Sequence, residues 1–535
     1  MAEPSAPTVV RDYHERSKHR LAAYAAGPET LDWDAQPDPF RRFAGAPITP
    51  LPLNAADDPL RWIELFEPGR NARPADLTQI GRLFECSFAL SAWKELGPDH
   101  WALRVNPSSG NLHPTEVYLV AQGLPGLADG VHHYAPKEHA LEQRAAFVGP
   151  AAAPRLLIGF SSIHWREAWK YGERAFRYCQ LDMGHAIGAL RYAAALLGWR
   201  VRELGLCHGE QAALMGLDRA GDFHSAEGEE AEAVFELCFA PAPAAPEDVL
   251  APLAGARWSG VANRLDAHPM YRWPVIDAVA QASRRVTAAP TTALPPLARR
   301  TQLPPSTAPA SRLIRQRRSA QRFDRSARTD TTTLWPLLAA LMPAGQLPWD
   351  MGQAAQVHAV LFAHRVDGLA PGAYLLPRNA TALASLQNTL PQLAWTPVPA
   401  CPAGLPMVEL ALNPALAGTL RTLSCHQAIG ADAVFVIALL AELPMDAAGA
   451  TDAPWLYRER LREAGLIGQV LYLEAEAAGL RGTGIGCFFD DPVRELLGLG
   501  APGTEPWQVL YHFSVGRPVQ DDRITSTPPY PEPRP

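Results

Sequence analysis

Residues 104 to 116 read RVNPSSGNLHPTE, a polar interruption in an apolar stretch. Arg104, Ser108, Ser109, Asn111 and His113 bring a guanidinium, two hydroxyls, an amide and an imidazole into one short loop. Pro107 and Pro114 restrict that loop, while Gly110 permits a backbone angle closed to most residues. An Asn amide presents a donor and an acceptor side by side, which matches the alternating carbonyl and N–H edge of a flavin pyrimidine ring. Taken alone, PSSGN also reads as a turn capped by Ser or Asn.

A second cluster, RLIRQRRSAQRFDRSART at 312 to 329, places Arg317, Arg318, Ser319 and Arg322 just before a helix-like segment, LWPLLAALM. Guanidinium forks beside a hydroxyl suit a terminal phosphate through bidentate, charge-assisted bonds; a solvated basic face is the alternative. A third stretch, GLRGTGIGCFFDDP at 479 to 492, carries Gly482, Gly484 and Gly486, which let backbone come close to a ligand. It follows a helix, QVLYLEAEAAGL, and not a strand, so the dinucleotide fingerprint is rejected; a helix C-cap and turn remains open.

What is missing ties these pieces together. Upstream of PSSGN stands GRNARPADL, with Arg70 and Arg73 but no serine; in the second half PAGQLPW, from Pro343 to Trp349, stands where a PSSGN would be expected. Each half keeps what the other lacks. One site shared between the halves accounts for this better than two independent sites.

The elements that must position such a site follow from the wider sequence. At 535 residues the chain exceeds one ordinary core, and 47% hydrophobic content with only 19% charged residues predicts two folded domains. A Pro-rich polar stretch, TAAPTTALPPLARRTQLPPSTAPAS, divides it. The expected organisation is an N-terminal wrapping extension (1–60), a first domain (61–245), a linker (246–310), a second domain (311–523) and a disordered tail (524–535). The halves echo each other. EVYLVAQG runs into GLADGVHHY and VHAVLFAHRV into DGLAPGAYL, each a strand, a Gly-Leu, a Gly turn and an aromatic strand. Long small-residue helices are predicted at Arg174 to Leu197, Cys425 to Leu443 and Gln469 to Leu480. The result is a duplicated α+β unit.

A net charge of −7 offers no general attraction to nucleic acid or anionic membranes. The longest apolar run, Ala433 to Leu443, is too short to span a bilayer and the N-terminus lacks a secretory apolar region, so a soluble cytoplasmic protein is expected. Seven cysteines without a C-x-x-C pair point to core residues, not to a zinc site or a disulfide framework. Asp182 and His185 share a helix face; two ligands do not make a metal site, and a hydrogen-bonded core pair is expected. No metal is predicted. Trp93, Lys94 and Arg104 lie near the PSSGN loop as candidate pocket residues.

PSSGNLHPTE, RRSAQRFD, GTGIGCFFDDP and VGRPVQDDR together resemble the FMN-dependent nitroreductase family in a fused tandem form. YHERSKHR, LDWDAQPDPFRRFAGAP and WREAWKYGERAFRYCQLDMGHAIGAL resemble its SagB/ThcOx-type peptide dehydrogenases. The resemblance implies two tandem α+β domains, each an antiparallel sheet wrapped by helices, forming an intrachain pseudo-dimer with FMN at the interface. It further implies that Arg317 and Ser319, with Arg318 and Gln321 beside them, hold the phosphate and ribityl groups, with Arg523 closing the clamp; the family often has a basic residue where Gln321 stands. Pro107, Ser108, Ser109 and Asn111, with Arg104, would contact the isoalloxazine, and the backbone of Gly484, Ile485, Gly486 and Cys487 would lie near N5. Lys170 and Tyr171 match a Lys-Tyr pair to which these dehydrogenases assign proton abstraction. Oxidising an azoline needs such a base, one whose pKa is lowered by burial or a neighbouring charge such as Arg174 or Arg177. The expected function is therefore an FMN-dependent dehydrogenase of a small molecule or peptide azoline, as a monomeric pseudo-dimer or a homodimer. The alternatives are an NAD(P)H-dependent nitro or quinone reductase, which needs no protein base, and a flavin-less scaffold.

Overall fold

The apolar runs that flank the two Gly-Leu turns form strands, as their β-branched and aromatic content favours. Thr115–Gln122 leads into Gly130–Ala135 in the first half, and Val357–Ala363 into Gly372–Leu376 in the second. The computed structural model describes residues 4–54, 56–149, 153–239, 248–304, 306–391, 393–443, 453–499 and 506–530. In the first sheet the order runs Ala140–Ala146, Gly130–Ala135, Thr115–Gln122, Arg155–Ser162, Glu230–Cys238, Arg200–Glu203. In the second it runs Val408–Leu412, Gly372–Leu376, Val357–Ala363, Phe435–Glu442, Trp507–Gly516, Arg481–Ile485. Position for position the two orders agree, and all these pairings are antiparallel.

Each half also carries a 22-residue helix, Ala175–Leu196 and Leu456–Ala477. Both are buried along most of their length, as expected for helices without a polar face. They cross where glycine meets glycine. A Cβ on Gly184 would collide with the Arg462 carbonyl and with Gly465 Cα, and one on Gly465 with the Leu181 carbonyl and Gly184 Cα. Gly188 against Gln469 and Gly468 against His185 extend the close approach. Because the backbones touch, loops of one half come within reach of strands of the other.

The N-terminal segment binds both halves. Helix Ala6–Arg16 buries His14, whose ring nitrogens lie 3.2 Å from Tyr457 Oη and 3.2 Å from Gln508 Oε1. Buried Lys18 pairs with Asp491 at 2.9 Å.

The structure changes several expectations. Cys425 to Leu443 is not a helix: after a short helical turn at Ile429–Asp432 it becomes the central strand Phe435–Glu442. A sheet covered on both faces has apolar residues on both faces, so its strand shows no alternation. The helix expected at Gln469 to Leu480 is the end of Leu456–Ala477. Residues 246–310 are only partly linker, since Arg257–Trp258 joins the first sheet and Pro274–Ala282 is a helix burying Ile276 and Val279. The tail is ordered as far as it is described: Thr525–Thr527 pairs with Leu90–Leu96, and the Tyr530 hydroxyl accepts from Leu90 N at 2.9 Å and donates to Pro136 O at 2.7 Å. Residues 531–535 lie outside the described residues.

Candidate functional site

The PSSGN loop, the arginine cluster and the glycine strand converge on one cavity of about 660 Å³. Arg104, Pro107, Ser108, Ser109 and Asn111 line it from the first half; Arg317, Arg318, Ser319, Gln321, Gly484, Ile485 and Gly486 line it from the second. The two expected halves of a binding site therefore face one space.

The loop is held by its own polar groups. Ser109 donates from its N–H to both Asp182 carboxyl oxygens at 3.0 Å and from its hydroxyl at 2.8 Å. Ser108 Oγ accepts from His113 N at 2.8 Å, and Asn111 Nδ2 donates to Ala102 O at 2.8 Å. Gly110, Asn111 and His113 all take left-handed φ of 57°, 62° and 54°, costly for the two that carry Cβ. Gly110 is required twice over, because a side chain there would strike the Tyr171 hydroxyl. Buried Arg104 anchors the loop's base by donating to Pro39 O at 2.6 Å and Thr115 O at 3.3 Å. Burial lowers its pKa to about 10.

At the other end the arginines crowd together. Arg317 is 3% exposed, reaches across to donate to Val105 O at 3.2 Å and Arg104 O at 3.3 Å, and keeps one buried nitrogen, Nη1, without any partner. Its guanidinium lies 4.9 Å over the Tyr472 ring. Arg318 donates to Arg315 O, Arg317 O and Ser91 O. Among the described residues no carboxylate pairs with Arg317 or Arg318. Burial, with Arg317 and Arg481 nearby, pushes Arg318 down to about 10, and burial with Arg318 and Arg481 lowers Lys94. Ser319 Oγ shares a hydrogen bond of 2.8 Å with Tyr472 Oη, which also accepts from Gly484 N at 3.1 Å.

The glycines also let aromatic rings of the protein pack closely behind them. They lie on an edge strand, and side chains at Gly482, Gly484 and Gly486 would strike Phe513, Tyr511 and Tyr178 respectively. Close approach is to aromatic rings of the protein itself. Arg523 does not line the cavity; it is exposed and pairs with Asp521 at 2.7 Å. Arg481, which does line it, stands within the glycine stretch at 479 to 492 but is not singled out there.

Tyr171 lines the cavity at the end of helix His164–Tyr171, packed edge-on against Tyr178 at 4.7 Å. Lys170 does not line it; its ammonium lies 5.2 Å from the Trp33 ring and 5.5 Å from the Tyr171 ring. Burial lowers the Lys170 pKa, with Glu167 opposing, and raises that of Tyr171. Asp182 and His185 are not bonded to each other. His185 instead joins Gln469 Oε1 at 3.3 Å and Tyr511 Oη at 3.1 Å across the helix crossing. Among the described residues no group of three or more His, Cys, Asp or Glu could hold a metal ion, and no helix is long and apolar enough to cross a membrane.

Two buried carboxyls under the loop were not singled out from the sequence for what they do here. Asp182 is pushed up to about 7 by burial, against the opposing pull of its Ser109 bonds. Glu167, fully buried with neither oxygen bonded, is raised well above the carboxyl range by burial and by Asp182. A folded pKa above the unfolded value of 3.8 means that stability present below about pH 4 is lost as pH rises toward 7. Relative to Asp182→Asn, the native chain is expected to lose roughly 4 kcal/mol at most over that range, read as a shrinking difference in thermal midpoint. A difference that is flat with pH would show Asp182 ionised throughout.

Residues 314–517 match the model of the Nitroreductase family. The whole chain superposes on the crystal structure of an Anabaena variabilis protein named as a nitroreductase, with a TM-score of 0.67 and 21% identity, covering 96% of this chain and 99% of that one. The fold of both halves is thus shared with that protein. A Methanocaldococcus jannaschii protein, also named as a nitroreductase, is 27% identical over 112 residues, 19% of this chain. The chain spans 57% of the length of that relative.

Proposed function

We propose that this protein is an FMN-dependent oxidoreductase whose two halves act as fused subunits of a pseudo-dimer, clasping one flavin in the cavity between them. The carrying observation is the net positive end of that cavity, where Arg317 keeps a buried, unpartnered nitrogen beside Arg318, Lys94 and Arg481, and the carboxylate within reach, Glu476, pairs with Arg481 at 3.6 Å. Buried guanidinium groups without carboxylates call for an anion, and a phosphate monoester fits the fork geometry. Arg317, Arg318 and Ser319 would hold the phosphate end; the Pro107 to Asn111 loop and the Gly484 to Gly486 strand would flank the ring. FMN, when bound, supplies two-electron hydride chemistry.

The equivalent place on the other side of the molecule is filled. There the edge strand Arg200–Glu203 leads to a polar pocket of only about 70 Å³, and three of its four arginines are neutralised: Arg458 and Arg462 pair with Glu232 at 2.8 and 2.6 Å, and Arg284 pairs with Glu230 at 2.6 Å. One FMN per chain is therefore expected from absorbance and chromatography of the released cofactor. Two per chain would contradict the shared-site reading, and none would favour a scaffold.

For the reaction we propose a dehydrogenase of the SagB type acting on a small molecule or peptide azoline, with the Lys170–Tyr171 pair removing the substrate proton: the Tyr171 hydroxyl at the cavity wall accepts it while passing its own to Lys170, the member whose pKa burial lowers. A specific observation favours a second reading: Lys170 lies outside the cavity, and an NAD(P)H-dependent nitro or quinone reductase draws its protons from solvent. Tyr171→Phe separates the two, because it abolishes azoline oxidation in the first case and leaves NAD(P)H-driven turnover of a quinone within about threefold in the second.

A further inference from the structure

Just past the Gly484 to Gly486 backbone the cavity wall carries a thiol, Cys487. Beside it runs the segment carrying Cys425, fixed by Phe489 N donating to Leu423 O at 2.8 Å and by Gln427 Nε2 donating to Cys487 O at 3.2 Å. Cys425 and the following His426 take left-handed φ of 52° and 60°, a backbone conformation uncommon for residues with Cβ. Both thiols are free and partly exposed, and each lies close enough to the other to shift its titration.

A third residue completes the cluster. His19 is clamped to the same segment, its N–H donating to Asp490 Oδ2 at 2.9 Å and its carbonyl accepting from Asp490 N at 3.1 Å. His19 Nδ1 accepts from Ala25 N at 3.0 Å, so the neutral ring carries its proton on Nε2, and the ring lies near enough to Cys487 to lower its pKa. Arg174 donates to Gly486 O at 2.9 Å and adds positive charge. Cys425, His19 and Arg174 together hold Cys487 below the ordinary thiol range. Cys487 lines the cavity and Cys425 does not, the arrangement of an attacking cysteine with a resolving one beside it.

We propose that Cys487 and Cys425 form a redox pair that reduces a small disulfide entering the cavity. The Cys487 thiolate attacks one sulfur of R–S–S–R, forming a mixed disulfide and releasing one thiolate. Cys425 then attacks the Cys487 sulfur; the second R–S⁻ leaves and takes the Cys425 proton. Two protein thiols are oxidised to one disulfide, and one external disulfide is reduced to two thiols. This step goes beyond the flavin reading and does not depend on it, since no flavin takes part.

The test uses the full chain, reduced and freed of reductant, then exposed to oxidised glutathione and followed by intact mass and a non-reducing peptide map. The expected product is a Cys425–Cys487 disulfide, with two glutathiones released per chain. Cys207, Cys238 and Cys401, equally partly exposed but without a thiol partner, are expected to react at least about tenfold more slowly. Cys425→Ser is expected to stop at glutathione bound to Cys487. Equal reaction at Cys207 or Cys401, or a native chain that holds the mixed disulfide and never closes it, would overturn the proposal. Because the native chain gives the deciding result, misfolding of the variant cannot obscure it.

Discussion

Arg317→Met is expected to bind FMN roughly ten- to a hundredfold more weakly than the native chain, while its affinity for riboflavin stays nearly unchanged. Riboflavin lacks the phosphate, so the comparison isolates the interaction of one guanidinium with one phosphate, as a double-mutant cycle does. Methionine keeps the apolar stem that packs over Tyr472 and removes a buried charge with no direct carboxylate partner, only Glu476 acting at longer range. The apoprotein therefore should not lose thermal stability in proportion to the lost affinity. Fluorescence titration of apoprotein with both flavins reads the result directly. An equal loss for FMN and riboflavin would place Arg317 at the loop instead of the phosphate. No loss for either would remove the anion from the cavity altogether.

That Arg317 could be singled out from sequence, and Arg481 could not, shows what kind of information a linear reading holds. Arg317 belongs to RRSAQRFD, a local run whose composition stands out. Arg481 is a lone arginine at the start of an edge strand, and only the antiparallel register against Trp507–Gly516 brings it to the same wall. The PSSGN loop was legible because its chemistry lies within a few residues. The role of Asp182 beneath it was not, since the helix pattern that placed Asp182 and His185 on one face says nothing of which loop each face meets.

The same limit explains the misread elements. The run AVFVIALLAEL has no period, because Phe435–Glu442 sits in mid-sheet with both faces covered, and a buried helix would look the same. The prolines of the tail read as unstructured. Its strand Thr525–Thr527 forms only because Trp93, Lys94 and Glu95, far earlier in the chain, offer an open edge, and Tyr530 finds its partners at Leu90 and Pro136. The twin halves, in contrast, were legible in the echo of strand, Gly-Leu and turn. Each copy folds by the same local rules before it meets the other.

The helix crossing tests whether that meeting is what makes the site. Gly184→Ala is expected to destabilise the chain by about 1–3 kcal/mol or more, because the new methyl meets the Arg462 carbonyl and Gly465 Cα, which are backbone and cannot rotate away. Gly465→Ala should do the same from the other side. The double variant should cost less than the sum, since one methyl already forces the helices apart. Gly209 is the control: it lies in helix His208–Met215 with nothing within 4 Å of its would-be Cβ, and alanine there should be neutral or stabilising by up to about 1 kcal/mol. Denaturant midpoints measure these differences. Flavin retention measures their consequence, because the Pro107 to Asn111 loop comes from one half and the Arg317 cluster from the other, and both line the one cavity. Gly184→Ala that loses stability yet keeps full FMN affinity would mean that each half holds its part of the ligand without the other.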